Sequence, residues 1–272
     1  MGSSFSELFA PLYSPIPDSG KYLERIGVDA VKTPDKENLD KLVVAHQRNV
    51  PFENLDVYDA ETELSLYISD LYDKIVTRRR GGYCFELNSA FMELLKSVGY
   101  ECYPTAARVI WHAACTMPLS HRVTIVTIGG VRYFCDVGFG GPSPQGAIML
   151  DEPGPQQSGS NIFVFSRNDG STVINRLVDG EHEPLLMFTE IPYDPVDFLA
   201  LNEYQSRSKN SNFKKSRTLN LVTETGNITL GGNVLRVNSD SDPVEITLGT
   251  EDELRAAIKD YFGIAVDFPL KM

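Results

Sequence analysis

A chain of 272 residues is long enough for one large domain, or two to three small ones, with a real hydrophobic core. Its 42% hydrophobic and 23% charged residues are an ordinary globular composition and exclude intrinsic disorder. A net charge of −12 excludes a general binder of nucleic acid or anionic membrane, since both need a cationic surface, and no apolar run approaches the length of a membrane span.

The N-terminus lacks the charged-then-apolar pattern of a signal peptide, and "MGSSFS", which formally fits a myristoylation site at Gly2, reads as an ordinary start. The first hundred residues then predict helices. "SGKYLERIGV" offers Ser19 as N-cap, an apolar face of Tyr22, Leu23 and Ile26, and Gly27 as the stop. "TPDKENLDKLVVAHQRNV" puts Thr33 before Pro34 at the first helical position, with Leu39, Leu42, Val43 and His46 at helical spacing. "SDLYDKIVTRRR" predicts a third helix closed by Gly81 and Gly82. "CFELNSAFMELLKSVG" predicts a fourth, with Gly99 just past its end.

From residue 101 the apolar period drops from 3.6 to 2. "ECYPTAARVIW", "HRVTIVTI" and "VRYFCDVGF" read as strands, the last two joined by the hairpin signal Gly129-Gly130. Past the Pro/Gly-rich "GFGGPSPQGA" come "NIFVFSR", "STVINRLV" and "LLMFTEI", separated by Asp169-Gly170 and Asp179-Gly180; together these predict an antiparallel barrel or strongly curved sheet. "DPVDFLALNEYQ" is helical again. Two strand-like runs, "RTLNLVTET" and "NVLRVNS", lead to a last helix opened by a capping box of Thr250 and Glu253. Helices, then strands, then a mixed tail make an α+β chain in three segments, 1–100, 101–192 and 193–272. "GFGG" is no dinucleotide loop, because Pro142 and Pro144 forbid the helix that must follow.

The chemistry centres on "RRRGGYCFELN", where Cys84 stands at the predicted start of the fourth helix. A helix N-terminus and neighbouring cations both favour a thiolate, and Gly81 and Gly82 let the backbone turn sharply and leave room for a substrate. The other cysteines, Cys102, Cys115 and Cys135, form no C-x-x-C pair, so they predict neither a zinc site nor a disulfide framework, and the chain reads as cytoplasmic with reduced thiols. A nucleophile needs a base and a group to orient it. Of four histidines, His46 lies on an amphipathic helix, His182 in the acidic turn "DGEHEP", and His112 at a strand end where its role stays open; His121 opens "HRVTIVTI" at a sheet edge. Asp136 sits in the apolar strand end "YFCDVGFG", where a lone carboxylate is costly, fifteen residues after His121 across the hairpin. Cysteine, histidine and aspartate in that order suit thiol-mediated group transfer.

"YLERIGV", "HQRNVPFENLDV", "RGGYCFELN", "SHRVTIV" and "DVGFG", in that order over residues 22 to 140, strongly resemble the arylamine N-acetyltransferase family. The resemblance implies a helical bundle, a β-barrel and an α/β lid of papain-like architecture, with Cys84, His121 and Asp136 as the catalytic residues. It implies a ping-pong reaction through an acyl-cysteine, from acyl-coenzyme A to an arylamine or hydrazine, with no permanently bound cofactor and no metal. It places Phe139 against the acceptor ring and Phe52 and Ser120 on the substrate side, although Phe139 also reads as core and Phe52 as packing. Glu53 and Asn54 are expected to brace the site, and Arg80 to anchor one of the carboxylates or only to add field. "NEYQSRSKNSNFKKSRTLNLV" resembles the family's coenzyme-contacting segment, which implies coenzyme A contacts at Tyr204, Ser208, Asn210, Ser211, Asn212, Lys214 and Lys215. That stretch holds five cations (Arg207, Lys209, Lys214, Lys215, Arg217) and no acid; a solvated basic loop is the commoner meaning of such a run. "FGIAVDFPL" resembles a terminal helix and strand.

The longer C-terminal tail and inter-domain insertion of the mammalian members are missing, which implies a more open cleft, with acetyl, propionyl and malonyl donors all open. A thiol hydrolase or transglutaminase-like enzyme would use the same three residues but has no need of the coenzyme segment, and a non-catalytic binding relative is a further alternative.

Overall fold

Asp18 and Asp35, not Ser19 and Thr33, start the first two long helices. In the computed structural model, which describes residues 5–239 and 242–272, Gly2 lies outside the described residues. Asp18 accepts the Lys21 N–H ahead of α1 (Ser19–Ile26), and Asp35 accepts the Asn38 N–H ahead of α2 (Lys36–Asn49). A carboxylate caps more strongly than a hydroxyl because the bond is charge-assisted, and Thr33 instead donates to Asp35. The third predicted helix stops early. α3 (Ile68–Tyr72) widens into a π turn over Asp73–Thr77, and the chain leaves it with Arg79 at φ +52°, which lets Lys74 and Arg80 turn inward to buried carboxylates. α4 (Cys84–Ser97) is buried at every position from Cys84 to Leu95 and forms the axis on which the other helices pack. Gly99, at φ +98°, releases the chain into the first long strand.

Beside α4, the ring of His46 is fully buried, bonded to the Tyr22 hydroxyl at 2.9 Å and edge-on to Phe91. Burial, aided by the nearby Arg25 charge, pulls it down from 6.5 to about 3. The unfolded chain therefore binds a proton that the folded one refuses, and stability falls as pH drops from 6.5 toward 3. The double variant Tyr22→Phe, His46→Leu removes both polar partners together, which is close to neutral in such sites. Its thermal melts between pH 7 and 5 should decline less steeply than those of the unaltered protein; equal slopes would show that other groups set the acid limb.

The barrel is one antiparallel sheet of eight strands in the order β5-β4-β3-β2-β9-β8-β7-β6. The strands are β2 (Glu101–Val109), β3 (His121–Ile128), β4 (Val131–Cys135), β5 (Ile148–Met149), β6 (Gln156–Ser158), β7 (Asn161–Asn168), β8 (Ser171–Val178) and β9 (Glu181–Phe188). Gly129-Gly130, Asp169-Gly170 and Asp179-Gly180 all take positive φ at their hairpins, as two-residue turns of this twist require. The two outer strands meet through a side chain: the Gln156 amide accepts the Met149 N–H and donates to its carbonyl, both at 2.7 Å, so it serves where a ladder would close the barrel. Phe134, Phe163, Phe165 and Phe188 fill the inside.

The last segment holds four strands where the sequence predicts two: β10 (Thr218–Val222), β11 (Asn227–Gly231), β12 (Val234–Asn238) and β13 (Val244–Thr247). Every β13 residue is exposed, so that run carries no buried apolar pattern, whereas β11 buries Leu230 with Ile228 beside it and was passed over. A fifth strand, β1 (Phe52–Glu53), comes from the helical part of the chain and pairs with β10. Next to it Asn54 donates to the carbonyls of Phe213 and Ser216 at 2.9 Å and accepts the Thr218 N–H at 2.7 Å. α5 (Phe198–Arg207) precedes this sheet, and α6 (Glu251–Phe262) covers it with Leu254, Ile258 and Phe262. Thr250 caps α6, but the Glu253 carboxylate takes the Gly249 N–H, so only half of the expected capping box forms. No strand follows α6. Residues 264–272 form a strap whose carbonyls at Val266 and Phe268 are held by Arg255, and at Lys271 by Arg217.

Candidate active site

The two glycines before Cys84 are needed for packing. A Cβ on Gly81 would stand 1.9 Å from the Pro51 carbonyl oxygen, and one on Gly82 would strike the Glu86 carboxylate. Neither glycine takes a left-handed φ, so the expected sharp turn with space for a substrate is replaced by two close chain approaches. Glu86, in the first turn of α4, accepts the Tyr83 N–H at 3.0 Å and so fixes where the helix begins.

Under this turn lies a buried charge cluster. Lys74 touches Glu86 and Asp56, each at 2.7 Å, and Arg80 touches Glu53 at 2.7 Å and Asp56 at 2.8 Å. Burial opposes ionisation throughout, yet Lys74 and Arg80 hold Asp56 down at about 2. Three carboxylates share two cations, and burial leaves Glu86 raised. Arg80 is thus neutralised by Glu53 and Asp56, and Arg78 by Asp73. Of the two readings open for Arg80, the structure shows it anchoring carboxylates, and neither it nor Arg78 is a free charge beside the thiol.

Cys84, His121 and Asp136 converge, each with no more than 2% of its surface exposed. His121 is the first residue of β3, and Asp136 follows β4. The register that faces Thr124 with Cys135 sets Asp136 diagonal to His121, and Nε2 meets Asp136 Oδ2 at 2.6 Å. With Nε2 committed there, the other ring nitrogen is left for the Cys84 sulfur, whose charge acts on the ring, while the thiol itself donates to the Ser120 carbonyl at 3.5 Å. Burial works against the imidazolium, but the charges of Asp136 and the Cys84 sulfur outweigh it and push His121 up to about 10. Asp136 is fully satisfied: its Oδ1 accepts from Asn88 Nδ2 at 2.9 Å and from the Gly138 N–H at 2.8 Å, and Gln47 holds its backbone carbonyl. Asn88, one helical turn past Cys84, was not picked out from the sequence; its i+4 spacing from the cysteine was the available signal. Gly138 is needed for fit, since a Cβ there would lie 2.9 Å from Cys84 Cα.

A cleft of about 500 Å³ lies beside these residues; Ser120, which precedes His121, and Phe139, which meets the His121 ring, are in its lining, while Cys84, His121 and Asp136 are not. Phe52, Phe139 and Ser120 line it, and so do Tyr204, Asn210, Ser211 and Asn212. Ser208, Lys214 and Lys215 stand outside this lining; Lys214 donates to the Val57 carbonyl. The basic run is less free than its composition implies. Arg217 is buried against Asp59, Arg207 pairs with Glu63 and Glu203, and the Ser211 hydroxyl is spent on Gln205. Trp111 was not picked out because it reads as the end of a strand, which stops at Val109; its ring meets Phe139 edge-on at 6.1 Å, and Phe139 meets His121 edge-on at 5.7 Å. Among the described residues no group of acids, histidines and cysteines is arranged to hold a metal, and no helix is long and apolar enough to cross a membrane.

A family model described as N-acetyltransferase matches residues 35–271. An arylamine N-acetyltransferase of Mycolicibacterium smegmatis is 34% identical over 91% of this chain and 92% of its own length, and one from Mycobacterium tuberculosis is 31% identical over 92% and 90%. The structure of the Mycobacterium marinum arylamine N-acetyltransferase in complex with CoA superposes with a TM-score of 0.85 at 30% identity, covering 91% of this chain and 93% of that one. Matches of this extent, on an α+β fold of bundle, barrel and lid, establish that the chain belongs to the arylamine N-acetyltransferase family of enzymes.

Proposed function

We propose that this enzyme moves an acyl group from acyl-coenzyme A to an arylamine or hydrazine through a thioester on Cys84, with His121 as acid and base and Asp136 holding the imidazole. The helical segment supplies the nucleophile, the barrel supplies the base and the acid, and the third segment supplies the coenzyme wall. The observation that carries the reading is the His121 ring, held by a fully hydrogen-bonded carboxylate, acted on by the Cys84 sulfur, and met edge-on by Phe139, a wall of the aromatic cleft.

The Cys84 thiolate attacks the thioester carbonyl carbon, the bond to the coenzyme sulfur breaks, and that sulfur leaves with the proton of the His121 imidazolium. The amine then attacks the acyl-cysteine, neutral His121 takes its proton, and the thiolate leaves, restoring the ion pair. Phe139, Trp111 and Phe52 offer faces and edges to an aromatic acceptor. The cleft lining holds no lysine or arginine to pair a malonyl carboxylate, which favours acetyl and propionyl donors. Acetyl-coenzyme A alone should leave an acetyl group on the peptide containing Cys84 by mass spectrometry, and an aniline should discharge it. Acetylation of a different residue, or release of free coenzyme A only when the amine is present, would overturn the ping-pong assignment.

A further inference from the structure

The loop after Asp136 carries an aromatic wall of the cleft, and its two parts are held very differently. The first part is fixed from α4 and from within: the Val137 N–H donates to Asn88 Oδ1 at 3.0 Å, and the Gly138 N–H to Asp136 Oδ1 at 2.8 Å. From Phe139 to Pro144 the loop makes one hydrogen bond among the described residues, in which Gln47 Nε2 donates to the Pro144 carbonyl at 2.9 Å. The same nitrogen donates to the Asp136 carbonyl, also at 2.9 Å. One amide on α2 therefore ties the two ends of the loop together.

Little else fixes the stretch between. Gly140 and Gly141 have no side chain to pack, and Gly140 takes φ +70°. A hollow of about 20 Å³, lined by Gln47, Phe52, Val137, Phe139 and Ser143 among others, leaves the packing incomplete at this contact. Gln47 Oε1 and Ser143 Oγ have no hydrogen-bond partner among the described residues, so the two donor bonds alone set the orientation of the amide. Gln47 is 6% exposed, and few side chains could replace it. A neutral amide carries two N–H donors on one nitrogen; an ionised carboxylate and an apolar chain have none, and a lysine would bury a charge.

We propose that Gln47 is a specificity-determining positioning residue: by tying Asp136 to Pro144 it holds Phe139 as the wall that seats the ring of an aromatic acceptor. The Phe139 ring meets His121 at 5.7 Å and Trp111 at 6.1 Å, so any movement of the loop displaces the wall relative to the base. The Asp136 carboxylate has its own bonds to Asn88 and Gly138, which do not pass through Gln47. Loss of the tie therefore falls most heavily on discharge of the acyl-cysteine by an acceptor that has a ring. Hydrazine attacks the same thioester with no ring to seat, which makes it the internal comparison.

This inference rests on the acyl-cysteine pathway proposed above. The unaltered protein is therefore first checked for a burst of free coenzyme A from acetyl-coenzyme A, with acetylation of Cys84; without them that pathway fails, and this inference with it. Discharge of the acetyl-enzyme by aniline and by hydrazine is then compared in Q47M and Q47E, well below the melting temperature of each. Both variants keep roughly the length of the side chain and lose the paired donors. The value of kcat/KM for aniline should fall by about tenfold more than that for hydrazine, mostly through KM, since a misplacement of about 1 Å can cost a hundredfold. An equal loss for the two acceptors overturns the proposal, because Gln47 would then act through Asp136 or the fold at large. Full retention of aniline transfer in both variants overturns it too, as does failure of both to fold, which would make the amide structural.

Discussion

Cys84→Ser should abolish acyl transfer, with turnover reduced by at least about a thousandfold even though the hydroxyl fits the same space. The reason is acidity: a hydroxyl is far less acidic than a thiol and stays protonated beside the same histidine. Serine also lacks the sulfur charge that helps push His121 up. Labelling gives the parallel test. Burial pushes Cys102 up to about 12 and raises Cys135 well above the ordinary thiol range, which leaves exposed Cys115 as the internal control against Cys84. A serine variant with substantial activity, or loss of activity that follows alkylation of Cys115, would sink the assignment.

Asp136→Asn should lower kcat/KM for acyl-coenzyme A by about four orders of magnitude, in line with the corresponding change in a serine triad. An asparagine can still accept from Asn88 and Gly138 at the Oδ1 position, but its amide then points at His121 Nε2, which must become an acceptor. The imidazolium loses its counter-charge and the proton shifts to the sulfur side. Stability carries its own signature. A histidine raised from 6.5 to about 10 contributes stabilisation that is fully present below pH 6.5 and is lost as pH rises through about 10. The variant should therefore melt below the unaltered protein at pH 6, with the gap closing toward pH 10. A fully active variant would mean that another acid orients His121.

The convergence of Cys84, His121 and Asp136 was legible because each stands at the end of a strongly patterned element, and element ends are where a sequence fixes side-chain position. Other features were hidden for a shared physical reason: their partners lie far away along the chain. Arg217 reads as one cation of a basic run until Asp59 folds against it, and the two readings open for Arg80 separate only when Glu53 and Asp56 stand beside it. Phe52 reads as packing or substrate contact, and its pairing with β10 has no local signal. Trp111 closes a run that reads as a strand, and nothing local marks it as cleft wall. The helix starts at Asp18 and Asp35 were missed on a finer scale, where two adjacent side chains compete for one cap and charge decides.

Asn54 also bears on the order in which the molecule is completed. Its three bonds to Phe213, Ser216 and Thr218 span 159 to 164 residues, and the neighbouring Phe52 is paired across β1 and β10. A growing chain emerging from a ribosome has made the cysteine helix and the barrel long before it makes these partners. Until then the side of the cleft formed by Tyr204, Asn210 and Phe213 has nothing to dock on, and closure of so long a loop is slow compared with local helix formation. Synthesis therefore supplies the thiol and its histidine before it supplies the wall that would position a coenzyme.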